Sequence, residues 1–258
     1  MHEGTRGAVM CFLSFARFKI GGKFARRSFL YNTKINFSDL KPTVPLDYQV
    51  ALISKLGVPF ENPQPIIHVS DEWRKSAHDL LTSKNFDPEK PYCIIHPGAR
   101  KYDQWQFEKF AKIAEYFFTR FNLGIILTCG PGEFGQVEKL IDCLSKKVPY
   151  TFISTDLSTL LGITASAKFV VCHNGGYMHA SSAIGIPVAA LFGLTDYRIW
   201  KPLGEKSVVL HKDIDCWPCT SKTMKQDCWD GKPECKELIS AEDVVNSIKK
   251  LCPEFSDK

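Results

Sequence analysis

The stretch Phe169-Val170-Val171-Cys172-His173-Asn174-Gly175-Gly176-Tyr177-Met178-His179, continued through Gly185-Ile186-Pro187-Val188 to Phe192, decides the fold. The short apolar run Phe169–Cys172 predicts a buried strand. Two glycines interrupt the chain, a helix is read over Tyr177–Ile184, and a second apolar run, Val188–Phe192, predicts the next strand. Strand, glycine turn, helix and strand in that order make a parallel βαβ unit.

The same alternation extends outward. Further strands are read at Tyr92–Ile95, Gly124–Thr128, Tyr150–Ile153 and Ser207–Leu210. Between the first two, Phe107, Phe110, Ala111, Ala114, Phe117, Phe118 and Phe121 recur at threes and fours and paint one helical face. Other helices are expected at Phe134–Leu144, Leu157–Ser166 and Ala241–Leu251, the last opened by Ser240 with Asp243 three positions on, as in a capping box. The class is α/β, a Rossmann-like parallel sheet. Upstream the text changes: a basic, loop-rich stretch to about Pro45, helices over Tyr48–Leu56 and from about Asp71 to Leu81, and a polar, proline-bearing linker at Phe86–Pro91. The chain is therefore expected to divide near residue 90.

Composition sets the outer limits. A chain of 258 residues with 44% hydrophobic and 12% aromatic content buries a real core, which excludes a disordered protein. The 33 Lys and Arg against 28 Asp and Glu leave a net charge of +5, enough to attract acidic small molecules or headgroups. The basic residues show no interleaved exposed aromatics in a recognisable module, so no nucleic-acid partner is expected. Of ten cysteines, Cys93 and Cys172 lie inside apolar runs and read as reduced core residues. The apolar run Gly7–Phe15 is too short to span a bilayer and lacks a cleavage site before Arg17, Lys19, Lys23, Arg26 and Arg27, making cytoplasmic residence the default. Such a start also reads as the middle of a longer gene product.

Three strand ends open onto turns suited to an anion: His96-Pro97-Gly98-Ala99-Arg100-Lys101, Cys129-Gly130-Pro131-Gly132-Glu133 and His173-Asn174-Gly175-Gly176. Ligands of open parallel sheets bind at the carboxyl ends of the strands, where helix N-termini offer free N–H groups and a positive dipole end. Gly175 and Gly176 are expected to let the backbone approach a phosphate closely and to adopt positive φ.

The whole stretch from Phe169 to Asp196 resembles the ADP-heptose:lipopolysaccharide heptosyltransferases of glycosyltransferase family 9, through Gly176, Met178, His179, Gly185, Pro187, Val188, Phe192, Gly193, Thr195 and Asp196. Supporting matches are His96-Pro97-Gly98-Ala99, Trp105, Gly130 to Glu133 and the late cysteines, so the likeness covers about Pro91 to Leu251. Arg26, Arg27, Leu30, Tyr31 and Val50–Gly57 look like the segment joining the family's two domains. The resemblance implies a GT-B enzyme: residues 91–258 as the nucleotide-sugar domain, and residues 1–85 as the incomplete tail of the acceptor-side domain and interdomain segment. It implies inverting transfer from a nucleoside-diphosphate sugar, ADP-heptose, to a lipopolysaccharide core or other cell-envelope acceptor, with no cofactor required. The alternative is a nucleotide-sugar-binding fragment or subunit without independent catalysis.

Donor contacts are assigned on this likeness to Gly98, Ala99, Arg100, Lys101, Glu133, Thr155, Asn174, Gly175, Gly176, Met178 and His179. Asn174 stands where the family usually has Asp, and Gly175 where it has Thr or Ser. Asp103 replaces a Lys before Trp105, leaving Lys101 or Arg100 to supply a cation to the phosphate. His179 reads as a phosphate contact on the motif match, against a helix-capping or partly buried histidine. Glu133 reads as a ribose contact or a first-turn acid, Thr155 as a nucleobase contact or a turn residue, and Trp105 as a core anchor. The family's general base belongs to the acceptor half; no position here matches it, and Asp39, Asp47 and Glu61 are the acids between Gly4 and Gln64. No catalytic residue is assigned.

Cys216-x-x-Cys219 with Cys228 and Cys235 has spacing that suits a structural zinc, one or two disulfides, or reduced thiols. The basic segment from Arg17 to Lys34 reads as a solvated loop or as a face for an anionic glycolipid acceptor, with at most peripheral contact to the inner face of the cytoplasmic membrane.

Overall fold

The structure is a computed structural model and describes residues 5–36, 45–54, 57–59, 64–217, 219 and 224–256. The chain forms two compact units, Met1–Pro63 with Arg198–Trp200, and Gln64–Tyr197 with Lys201–Lys258. No helix among the described residues is long and apolar enough to cross a membrane.

The smaller unit contains helix α1 (Thr5–Leu13), short strands β1 (Ile20–Gly22) and β2 (Thr33–Ile35), and helix α2 (Pro45–Ser54). β1 and β2 pair in parallel, Ile20 opposite Thr33 and Gly22 opposite Ile35. Asn32 clips the unit together, accepting from Lys19 N at 2.8 Å and donating to Arg17 O at 2.7 Å. Ala8, Ala25 and Tyr31 form its small buried cluster. The stretch expected to be loop-rich thus holds a helix and a strand pair. Strands of three residues are too short to display the alternation by which a strand is read. α2 begins at Pro45, three residues before the expected start, because proline suits the first turn, where no N–H partner is needed.

The larger unit runs α3 (Asp71–Ser83), β3 (Tyr92–His96), α4 (Phe107–Phe121), β4 (Gly124–Thr128), α5 (Phe134–Cys143), β5 (Thr151–Ile153), α6 (Leu157–Thr164), β6 (Val170–His173), α7 (Gly176–Ile184), β7 (Val188–Leu191), β8 (Ser207–Leu210) and α11 (Ala241–Leu251), with the short helical turns α9 (Gln226–Trp229) and α10 (Glu234–Glu237) before the last; of the turn α8 (Tyr197–Trp200), Arg198–Trp200 fall to the smaller unit. Six strands form one sheet in the order β5-β4-β3-β6-β7-β8, and every pairing is parallel. Cys93 and Ile95 enter the cluster under α4, α5 and α11, whereas Tyr92 and Ile94 enter the one under α3, α6 and α7. The period of two sorts β3 between two buried faces, which is why its sequence is continuously apolar. The expected capping box closes α11, with Asp243 N donating to Ser240 Oγ and Ser240 N to Asp243 Oδ2, each at 3.0 Å.

The division falls after Pro63 rather than near residue 90. α3 belongs to the larger unit because Ala77 and Leu81 are buried with Tyr92, Ile94 and Ile163. Gly162 allows the contact: a Cβ there would sit 2.2 Å from the backbone oxygen of Trp73, so only glycine lets α3 and α6 approach this closely.

Candidate functional site

From β3 the chain winds outward through β4 and β5, then returns to β6 on the other side of β3. The carboxyl ends of β3 and β6 therefore flank the topological switch point, where neighbouring connections diverge and leave a crevice. The register pairs His96 with Cys172, so the loop after β3 and the Asn174-Gly175 turn leave the sheet side by side.

Polar contacts hold the first loop. His96 Nδ1 lies 3.0 Å from Thr128 Oγ1, and its Nε2 lies 3.5 Å from Glu133 Oε2. The same carboxylate oxygen accepts from Gly130 N at 2.8 Å. These contacts with His96 and the Gly130 N–H hold Glu133 below its ordinary pKa of 4.5, against the opposing effect of burial, so it is an acceptor at neutral pH. Glu133 occupies the space that a Cβ on Gly98 would need, its Oε2 standing 2.0 Å from that position. Farther along, Ala99 and Gln136 exchange two hydrogen bonds of 2.8 Å, N–H to Oε1 and Nε2 to the carbonyl, tying the loop to α5.

The second side is more open. α7 starts at Gly176 with no side chain capping its free N–H groups. Gly175 and Gly176 are exposed, and a Cβ on either would meet nothing within 4 Å. The expected positive φ is not found: Gly175 is extended, at φ 176°, and Gly176 is the first residue of the helix. What these glycines provide is empty space beside bare N–H groups.

The other expected contacts divide. Asn174 is half-buried at the crevice, its N–H donating to Leu191 O at 3.1 Å, and His179 is exposed on α7. Met178 is fully buried in the core beneath α7, so its side chain is a packing residue and not a crevice contact. Thr155 donates its hydroxyl to Asp156 Oδ2 at 3.2 Å, and Asp156 caps α6. Arg100 and Lys101 are exposed, and Arg100 Nη1 donates to Tyr102 Oη at 3.0 Å. Trp105 is the expected core anchor, its indole N–H donating to Ile239 O at 3.0 Å.

The partner of Asp103 was not foreseen. Lys236 of α10 is fully buried, with Nζ 3.4 Å from Asp103 Oδ1 and donating to Leu191 O at 2.9 Å. The pair fills the end of β7 so tightly that a Cβ on Gly193 would stand 2.6 Å from Asp103 Oδ1. A buried acid two residues before Trp105 requires a cation, but its burial is set by the fold and leaves no local signal in the sequence.

All ten cysteines are free. Burial pushes the Cys172 and Cys235 thiols up to about 12, and that of Cys219 up to about 11 with Cys216 and Cys228 adding to the rise. Among the described residues, no three His, Cys, Asp or Glu side chains are gathered as a metal would need, Cys216, Cys219, Cys228 and Cys235 included. Of the candidate bases, Asp47 is exposed in the first turn of α2, and Asp39 and Glu61 lie outside the described residues.

A family model described as glycosyltransferase family 9 (heptosyltransferase) matches residues 1–230. Lipopolysaccharide heptosyltransferase 3 of Escherichia coli K12 is 25% identical over 248 residues, which cover 93% of this chain and 69% of that protein. The structure of E. coli ADP-heptose LPS heptosyltransferase II superposes with a TM-score of 0.80 at 16% identity, over 98% of this chain and 75% of the other. That of E. coli heptosyltransferase WaaC with ADP does so at 0.63 and 19%, over 87% and 61%. At these identities the structural matches establish the fold.

Proposed function

The chain belongs to glycosyltransferase family 9, and on that premise we propose that its larger unit holds ADP-heptose at the carboxyl edge of the sheet for inverting transfer to a lipopolysaccharide-type acceptor. The observation that carries this reading is the uncapped start of α7, with Gly175 and Gly176 opening on empty space at the switch point. A diphosphate there accepts from the free N–H groups, and the helix dipole opposes the charge that grows on the leaving nucleotide. Arg100 and Lys101 add exposed cations, and His179, exposed on α7, is a further donor. Ionised Glu133 accepts from the ribose hydroxyls, and Thr155 is kept for the base side. The matched structures named for ADP-heptose and ADP support the choice of nucleotide.

In this reading the smaller unit is the acceptor side, and the chain works at the inner face of the cytoplasmic membrane. A second reading is donor binding without independent transfer, and Asp47, exposed in the first turn of α2, is the carboxylate on which the two can be told apart. Turnover of ADP-heptose with a core-lipid acceptor separates the two. Transfer that falls by orders of magnitude in Asp47→Asn supports an enzyme with that base, and donor binding without transfer supports the second reading.

A further inference from the structure

Three rings gather where β7 and β8 leave the sheet. Phe192 N donates to Leu210 O at 2.8 Å, so the two strands end together and His211 is the first residue beyond β8. Tyr197 lies over it, the ring centres 4.0 Å apart and the planes 31° from parallel. Trp217 stands 5.3 Å from Tyr197 and 5.4 Å from His211, folded back by a turn in which its N–H donates to Ile214 O at 2.8 Å. All three residues are half-buried, so each keeps part of its surface in solvent. Tyr197 and Val209 pack against the apolar cluster that holds Met178 of α7, and by the period of two along β8 His211 falls on the side of Val209. The rings therefore share a face of the sheet with α7. Beside them, the Asp213 side chain is 78% exposed, with Oδ1 3.7 Å from His211 Nδ1.

The order of the sheet edge decides what reaches them. In the donor reading proposed above, on which this inference rests, Thr155 after β5 serves the base, Glu133 after β4 the ribose, and the start of α7 after β6 the diphosphate. A nucleotide sugar laid along β5-β4-β3-β6 in that sense carries its sugar onward over β7 and β8, about 5 and 10 Å beyond β6 at the usual strand spacing. We propose that Tyr197, Trp217 and His211 form the subsite for the donor's sugar, an aromatic platform for the C–H face of a pyranose, with the Asp213 carboxylate accepting from its hydroxyls. The electron-rich ring faces attract weakly positive C–H bonds, and a carboxylate is an acceptor suited to a polyol. A nucleobase also stacks on such rings, but the base end of the donor lies at the far side of the sheet. The platform does not enter the chemistry of transfer; it selects the sugar and holds it beyond the diphosphate.

Titration of the parent chain and of Tyr197→Ala, Trp217→Ala and Asp213→Asn with ADP and with ADP-heptose tests it. Each ring removed should weaken ADP-heptose by about fivefold, and Asp213→Asn should weaken it by about threefold, while every variant binds ADP as the parent does. Tyr197→Phe keeps the ring face and should bind ADP-heptose like the parent. Unchanged ADP affinity also reports an intact fold, and if Tyr197→Ala does not fold, Trp217→Ala and Asp213→Asn still decide. Parent affinity for ADP-heptose in the ring variants, with ADP bound, would overturn the sugar subsite and leave the nucleotide site standing; a rise confined to the KM of the acceptor would accompany that result if the rings served the acceptor instead. Equal losses for ADP and ADP-heptose would overturn it as well, since rings that serve only the fold weaken both. A parent chain that binds neither ligand would overturn the donor reading and this subsite with it.

Discussion

Trp105 donates its backbone N–H to Nε2 of His173, 3.0 Å away, although 68 residues separate them. That nitrogen must be the acceptor, so the ring proton lies on Nδ1, which faces the carbonyl oxygen of Gly98 at 3.2 Å. One neutral imidazole therefore ties the end of β6 to the loop after β3, across the crevice assigned to the donor.

Burial holds His173 well below its ordinary pKa of 6.5. An imidazole depressed in the folded state is protonated more readily when unfolded, so its contribution to stability is complete above 6.5 and is lost as pH falls below that value. Urea unfolding at a series of pH values should show the loss, and His173→Ala should remove that component. The same variant should cost about 2–4 kcal/mol at pH 7.5, since it strands the Trp105 N–H and the Gly98 carbonyl. An unchanged pH slope would contradict a buried, neutral His173.

Asp103 and Lys236 should behave as a coupled buried pair. Lys236→Met leaves a carboxylate in the protein interior and should destabilise by about 3–5 kcal/mol. Adding Asp103→Asn to that variant should recover part of the loss, since the uncompensated charge is gone. A double variant as unstable as the sum of the two singles would show that the residues do not interact.

Glu133 is the sharpest test of the ribose side. Glu133→Gln keeps the size and removes the charge that His96 and Gly130 stabilise, and ADP affinity should fall by about tenfold or more for one charge-assisted hydrogen bond. Gly98→Ala should act through the same carboxylate, because the added methyl displaces it. Calorimetry showing parent affinity in both would return Glu133 to a purely structural role at the start of α5.

The parallel sheet was legible because its strands are buried on both faces and leave continuous apolar runs such as Tyr92–Ile95. The turns proposed to hold the diphosphate were legible as turns at strand ends through Gly98, Gly130 and Gly176, since glycine is the residue that makes room for a close approach. α1 and the β1–β2 pair were not, because nothing periodic distinguishes three-residue strands. Nor were Asp103–Lys236 and Ala99–Gln136, polar pairs formed between distant segments that local spacing does not encode. Met178 misled for a related reason: it sits in the matched motif, but its side chain turns into the core beneath α7.

The most direct measurement is isothermal titration of the chain with ADP, UDP and GDP, repeated on Gly176→Val. A valine there projects into space that the protein leaves empty, so the fold should persist while the diphosphate loses its place. The account predicts saturable heat with ADP, weaker heat with the other two nucleotides, and none in the variant. No heat with any nucleoside diphosphate, or undiminished ADP binding in Gly176→Val, would contradict a donor site at the start of α7.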